Sequence, residues 1–136
     1  MTPEITMLTY AALLQVIQFA LMSITANIDV GVGKTMSPRD PARLGKSVGE
    51  LLSEKPGRLF RAFNNHFEGL ILFTIAVVIV TLGEQSTTVT TTCAWVYLFA
   101  RIAYVPAYYF GWAPWRSLIW FAGFGATVVM LLAALI

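Results

Sequence analysis

Four stretches of this chain are apolar over the length of a membrane-spanning helix, and they constrain its fold more than any other feature. They cover residues 5–28, 59–82, 89–110 and 115–136. About 20 residues of helix cross the hydrocarbon core of a bilayer, and backbone in lipid must satisfy its own hydrogen bonds. Only 12% of the residues are charged, against about 25% in soluble domains. We therefore predict an all-α integral membrane protein, with one four-helix domain over residues 1–136 surrounded by the lipid bilayer.

The distribution of lysine and arginine predicts how the helices are oriented. The loop 29–57 and the residue just after it hold most of the basic residues: Lys34, Arg39, Arg43, Lys46, Lys55 and Arg58. The connection between the second and third helices carries only one charged residue, Glu84. Because basic loops remain in the cytoplasm, we predict a cytoplasmic loop and both termini on the opposite side of a bacterial inner membrane. Anionic lipid accounts for the basic loop, so no nucleic-acid partner is expected.

Seven polar side chains stand out within the apolar stretches, and they fall in the halves of the second, third and fourth helices nearest the loop 29–57. They are Arg61, Asn65, Glu68, Arg101, Tyr104, Tyr108 and Arg116. The first three are spaced i, i+4 and i+7, so they share one helical face. Counting about 1.5 Å of rise per residue places Glu68 and Arg101 at nearly equal depth, so these two can pair between helices.

This cluster has two interpretations. In the first, it is a buried polar network that joins the helices, which contributes little stability but fixes their geometry. In the second, it is a binding site, because ionisable groups at membrane depth usually mark function. Three arginines face one glutamate, and an excess of positive charge in a low dielectric favours a bound anion. A small polyanion that carries one amine would balance these charges, with Glu68 facing the amine.

Other residues give weaker signals. Cys93 is the only cysteine, so neither an internal disulfide nor a multi-cysteine metal site can form, and we expect no metal. His66 is the only histidine. It points about 100° away from Asn65 on a helix, and we interpret it as an interfacial polar residue rather than a catalytic base. Small residues on the fourth helix permit close contact with another helix in lipid: Ala122, Gly123, Gly125 and Ala126.

Two motifs in the polar cluster resemble a known family. They are Arg61-Ala-x-x-Asn65-x-x-Glu68 and Val96-Tyr-Leu-Phe-Ala-Arg101-x-x-Tyr104-x-x-x-Tyr108. Both are similar to motifs of the MAPEG family, the membrane-associated proteins in eicosanoid and glutathione metabolism. The likeness covers roughly residues 58–120, and the first helix matches only in its apolar character.

The resemblance implies a homotrimer of four-helix subunits that bind glutathione at their interfaces, in the cytoplasmic half of the membrane. By position, the glutathione-binding residues would be Arg61, Asn65, Glu68, Arg101, Tyr104, Tyr108 and Arg116. Arg116 is similar to the arginine that the family places beside the glutathione sulfur. An arginine there would lower the thiol pKa and favour the nucleophilic thiolate.

The implied activity is that of a glutathione transferase or peroxidase acting on lipophilic electrophiles, with Arg116 as the catalytic residue. Glutathione is then a bound co-substrate, and the second substrate reaches the site from the bilayer. The alternative is a non-catalytic accessory protein that binds lipid or thiol and docks on a larger membrane complex.

Overall fold

Seven helices form the part of the chain that the computed structural model describes, which is the backbone of residues 1–44 and 46–136. The side chain of Arg43, one of the basic residues of the loop, lies outside the described residues. The long helices are α1 (Pro3–Val30), α5 (Glu54–Leu82), α6 (Thr88–Tyr109) and α7 (Ala113–Ala133). Three helices of four residues each occupy the loop: α2 (Val32–Thr35), α3 (Pro41–Leu44) and α4 (Val48–Leu51). The described residues contain no strand, so the all-α prediction is confirmed.

Three helices of the described part, α1, α5 and α7, are long and apolar enough to cross a membrane. The prediction of membrane-spanning helices is confirmed for these three. Helix α6 has 22 residues, but its threonine-rich start and the guanidinium of Arg101 make it less apolar. That α6 is a fourth span, and that the four helices form a transmembrane bundle, stays a prediction.

Polar side chains cap the starts of α6 and α4. Thr87 accepts a hydrogen bond from the backbone N–H of Thr90 at 3.3 Å, and the Thr90 hydroxyl accepts one from the Thr87 N–H at 2.8 Å. This reciprocal pair starts α6. At the start of α4, the Ser47 hydroxyl accepts one hydrogen bond from the Glu50 N–H at 3.3 Å. Polar residues therefore define where these helices begin.

Helices α5 and α6 lie in the middle of the fold, since each packs against the other and against both α1 and α7. The stacked rings of Phe73 and Tyr97, 3.8 Å apart, join α5 to α6. On α7, Gly123 and Ala126 are buried, and a Cβ built on Gly123 would lie 3.5 Å from the Ala100 methyl carbon of α6. Of the four small residues that we expected at a contact between helices, Gly123 and Ala126 are therefore buried within the chain, whereas Ala122 and Gly125 are less buried.

Arg58 holds the turn between α6 and α7 against the start of α5. Its guanidinium forms an ion pair with Glu54 at 2.7 Å and donates to the Tyr109 carbonyl oxygen at 3.2 Å. Gly111 has φ +73°, and a Cβ there would lie 3.0 Å from this guanidinium. The positive φ favours glycine, and a larger residue would also have to push this guanidinium aside. The contact brings the end of α6 and the start of α7 beside Arg61.

Glu4 joins the start of α1 to the start of α6, and its burial was not expected. The side chain is fully buried, and its carboxylate accepts from the hydroxyls of Ser86 at 3.0 Å, Thr90 at 2.5 Å and Thr91 at 3.3 Å. A carboxylate at the first turn of α6 also complements the dipole of that helix. Two helix starts are thereby fixed together.

Candidate functional site

A cavity of about 390 Å³ opens between α5, α6 and α7, at the end of the molecule where the loop joins α5. Its walls carry both charged and aromatic side chains: Arg61, Asn64, Asn65, Glu68, Tyr104, Tyr108, Arg116, Ser117, Trp120 and Phe121. Six of the seven residues that the sequence singled out are among them. The seventh, Arg101, lies behind this wall. We call this space the outer cavity.

A smaller pocket of about 160 Å³ continues from the outer cavity toward the middle of the helices. Both spaces share Asn65, Glu68 and Trp120 as walls. Arg101 lines only the smaller one, which we call the inner pocket. The structure therefore brings all seven predicted residues together around two connected spaces.

Four residues of the outer cavity were not predicted: Asn64, Ser117, Trp120 and Phe121. Helical spacing contained a signal for one of them, because Trp120 follows Arg116 by four residues and so lies on the same face of α7.

Tyr108 lies between two cations on the wall of the outer cavity. Its hydroxyl accepts a hydrogen bond from Arg61 Nε at 3.1 Å. The guanidinium carbon of Arg116 lies 4.8 Å from the centre of the same ring, within the range of a cation–π contact. Arg61 is exposed and Arg116 is half-buried. Tyr108 thus orients both guanidinium groups, and each keeps free donors that face the cavity.

Arg101 is buried, with 4% of its surface exposed, and neutral partners hold it. It donates from Nη1 to the Asn65 side-chain oxygen at 3.0 Å and from Nε to His66 Nδ1 at 3.2 Å. Its guanidinium carbon also lies 4.5 Å from the ring centre of Tyr104. Among the described side chains, the only ion pair is the one between Arg58 and Glu54.

The pairing of Glu68 with Arg101, which their equal depth allowed, is therefore not formed among the described side chains. Equal depth in the membrane does not determine the direction in which a side chain points around its helix. Asn65, one turn before Glu68, reaches the guanidinium instead. Glu68 is exposed and faces the open space, where its carboxylate is available to a ligand.

His66 is also placed differently from our expectation of an interfacial residue. It is fully buried, and Nε2 lies 2.9 Å from the Ala11 carbonyl oxygen of α1. Because Nδ1 accepts the hydrogen bond from Arg101, the ring proton belongs on Nε2, which donates it to Ala11. His66 lines neither space, as expected, but it fixes Arg101 from behind.

The charges around the two spaces are unequal. Arg61, Arg101 and Arg116 contribute three positive charges, and Glu68 contributes one negative charge. Fixed charges interact more strongly in a low dielectric than in water, so such a site attracts anions. The carboxylate offers one place for a cationic group within an otherwise anion-binding surface.

Comparison with known proteins agrees with this arrangement. The family model described as "MAPEG family" matches residues 7–136, which is nearly the whole chain. No curated protein and no solved structure matches the chain. The match includes the whole of α5, α6 and α7, whose residues form the outer cavity and the inner pocket. From the extent of this match, we conclude that the chain belongs to the MAPEG family.

Proposed function

We propose that this protein binds glutathione in the outer cavity and uses its thiolate to attack lipophilic electrophiles. The observation that carries the proposal is the combination of two cavity-facing arginines with one unpaired glutamate. Glutathione has two carboxylates and one ammonium group, which match those charges. Membership of the MAPEG family, which includes glutathione-dependent transferases and peroxidases, supports the same ligand.

Each side chain has a distinct role in this proposal. Arg61 binds a carboxylate of glutathione, and Glu68 binds its ammonium group. Asn65 is held by Arg101 and presents its amide as a further polar contact. Tyr104 and Tyr108 supply hydroxyl groups. These contacts fix the tripeptide so that its thiol lies near α7.

Arg116 is the catalytic residue of the proposal. A guanidinium beside the thiol favours the thiolate, which is the nucleophilic form. In the transferase reaction, the sulfur forms a bond to an electrophilic carbon of the second substrate, and the leaving group departs with its electron pair. The thiol proton passes to water. In the peroxidase reaction, one lipid hydroperoxide oxidises two glutathione molecules to their disulfide, which yields one alcohol and one water.

A homotrimer is part of the proposal, and the exposure of the site in a single copy of the chain supports it. Arg61, Asn64 and Glu68 are exposed on α5, one of the helices apolar enough to cross a membrane. An ionised side chain at the centre of a spanning helix costs about 2.5–3.5 kcal/mol on insertion scales. A second copy that covers these groups would remove that cost. The outward-facing Ala122 and Gly125 allow close approach of another helix.

Orientation in the membrane is part of the proposal. The basic residues of the loop support a location of the outer cavity on the cytoplasmic side of a bacterial inner membrane, where a soluble tripeptide thiol would reach it. Trp120 and Phe121 form the part of the wall that suits a substrate arriving from lipid. The proposed substrates are therefore an aqueous thiol and a membrane-dissolved electrophile.

Purified protein in mild detergent tests the proposal in two steps. Calorimetry measures glutathione binding, and formation of the thioether with chlorodinitrobenzene measures turnover. We expect both to occur. Binding without any turnover, also with a lipid hydroperoxide as oxidant, would instead support the non-catalytic accessory protein. Absence of glutathione binding would refute the glutathione site and leave only the lipid-binding form of the accessory protein.

A further inference from the structure

The inner pocket contains two hydrogen-bond donors that have no partner among the described residues. These are the hydroxyl of Tyr97 and Nη2 of Arg101, and both residues line the pocket. Tyr97 is 2% exposed and Arg101 is 4% exposed. Buried donors in native proteins nearly always have partners. Two such donors at one pocket indicate a site for a ligand that accepts hydrogen bonds.

Both donors are held rigidly by the surrounding structure. The Tyr97 ring stacks on Phe73 with an angle of 12° between the planes. The other two nitrogens of the Arg101 guanidinium are engaged by His66 and Asn65. Only Nη2 remains for a ligand. Donors fixed in this way bind an acceptor without losing conformational freedom.

The chemistry of the walls identifies the acceptor. One donor is a permanent cation and the other is a hydroxyl, while Leu72 and Phe124 make part of the wall apolar. A buried charge requires a compensating charge or a set of hydrogen bonds. Glu68 also lines the pocket, but no carboxylate of the described residues lies within ion-pair distance of Arg101. An oxygen atom that carries negative charge satisfies both donors at once.

We propose that the inner pocket is a binding site for the oxyanion of a small, partly apolar organic acid, with a carboxylate as the reference case. This goes beyond the proposed function, which concerns the outer cavity. Its volume of about 160 Å³ limits the occupant to a few non-hydrogen atoms. The acid is either the end of the molecule that fills the outer cavity or a separate molecule, because both spaces share Asn65, Glu68 and Trp120.

Calorimetry with short carboxylates tests the proposal on the purified protein in nonionic detergent. The probes are propanoate and butanoate, and propanol and butanol serve as neutral controls of the same shape. We expect the acids to bind at least tenfold more tightly than the alcohols. Equal affinity for acid and alcohol would overturn the proposal. Binding of neither probe would also overturn it, because water alone would then fill the pocket.

Two variants connect this binding to the inner pocket. Tyr97→Phe removes only the hydroxyl, and we expect it to weaken butanoate about tenfold while the melting temperature stays equal or rises, since the hydroxyl has no partner. Gly69→Ala would place a Cβ 3.3 Å from that hydroxyl and should block the probe. Gly123→Ala is the matched control because its Cβ makes only ordinary contacts, at 3.5 Å or more.

Retained butanoate affinity in both Tyr97→Phe and Gly69→Ala would overturn the assignment. If Gly69→Ala fails to fold, Tyr97→Phe decides alone. Repeating the titration with saturating glutathione separates the two sources of the acid: competition indicates a carboxylate of glutathione, and independent binding indicates a separate molecule. Glutathione affinity of the same variants is measured in parallel, so a protein that binds butanoate but no glutathione refutes only the proposed function.

Discussion

His66 is expected to contribute strongly to stability because it joins three helices at one buried point. The change to test is His66→Leu, which replaces the imidazole with an apolar side chain of moderate size. It removes the acceptor of the Arg101 guanidinium and the donor to the Ala11 carbonyl oxygen. A hydrogen bond to a charged group contributes about 1.5–3 kcal/mol, and a neutral one about 1 kcal/mol. We expect a loss of about 2–4 kcal/mol in the free energy of unfolding.

The assay is reversible unfolding in mixed micelles with increasing sodium dodecyl sulfate, followed by circular dichroism. The control is Asn64→Leu, a neighbouring but exposed position on α5, which should change stability by less than about 0.5 kcal/mol. In an Arg101→Met background, His66→Leu should cost less by about 1–2 kcal/mol, because contacting residues are coupled. A loss below 0.5 kcal/mol in the wild-type background would refute the argument, and additive losses would show that His66 does not act through Arg101.

Three further predictions concern the oligomeric state, the orientation in the membrane and the buried carboxylate of Glu4. Native mass spectrometry in mild detergent should show a trimer, and a monomer would contradict the shared covering of Arg61 and Glu68. In a Cys93→Ala background, cysteines introduced at Ser37 and Glu84 should react with a membrane-impermeant reagent from the cytoplasmic and the opposite side respectively, and the reverse labelling would overturn the orientation. Glu4→Ala should lower the free energy of unfolding by about 1–3 kcal/mol, measured as above, since several hydroxyl donors lose their acceptor. An unchanged value would mean that those hydroxyls find other partners.

Helical spacing was sufficient to predict the face of α5 that forms the site. Arg61, Asn65 and Glu68 line the outer cavity because positions separated by four and seven residues lie on the same side of a helix. The all-helical fold and the three apolar spans were predictable for a similar reason. Hydrophobic length and backbone satisfaction in lipid leave few alternatives.

Contacts between helices were not predictable in the same way. Spacing gives the direction of a side chain around its own axis, but not the neighbour that lies in that direction. The unexpected burial of His66 depends on α1 passing beside α5, and that of Glu4 depends on the start of α6 lying beside the start of α1. Neither of these contacts between helices can be predicted from the local sequence. The misplaced pairing of Glu68 with Arg101 has the same cause.

The small residues of α7 illustrate the limit from another side. Ala122, Gly123, Gly125 and Ala126 are equivalent by composition, and all permit close packing. In the structure, Gly123 and Ala126 face the interior, whereas Ala122 and Gly125 are less buried. The rotation of α7 against α6 determines which pair packs against α6 and which pair stays at the surface.

The ionisation of bound glutathione tests the central claim most directly. Thiolate absorbance in the ultraviolet is titrated against pH for glutathione bound to the wild type, Arg116→Ala and the matched control Arg61→Ala. We expect Arg116→Ala to raise the pKa of the bound thiol by about one to three pH units, which is about 1.4–4 kcal/mol of lost thiolate stabilisation, and to depress turnover strongly. Arg61→Ala should weaken binding but leave the thiol pKa of the bound ligand nearly unchanged. An unaltered thiol pKa and unaltered turnover in Arg116→Ala would contradict the catalytic assignment.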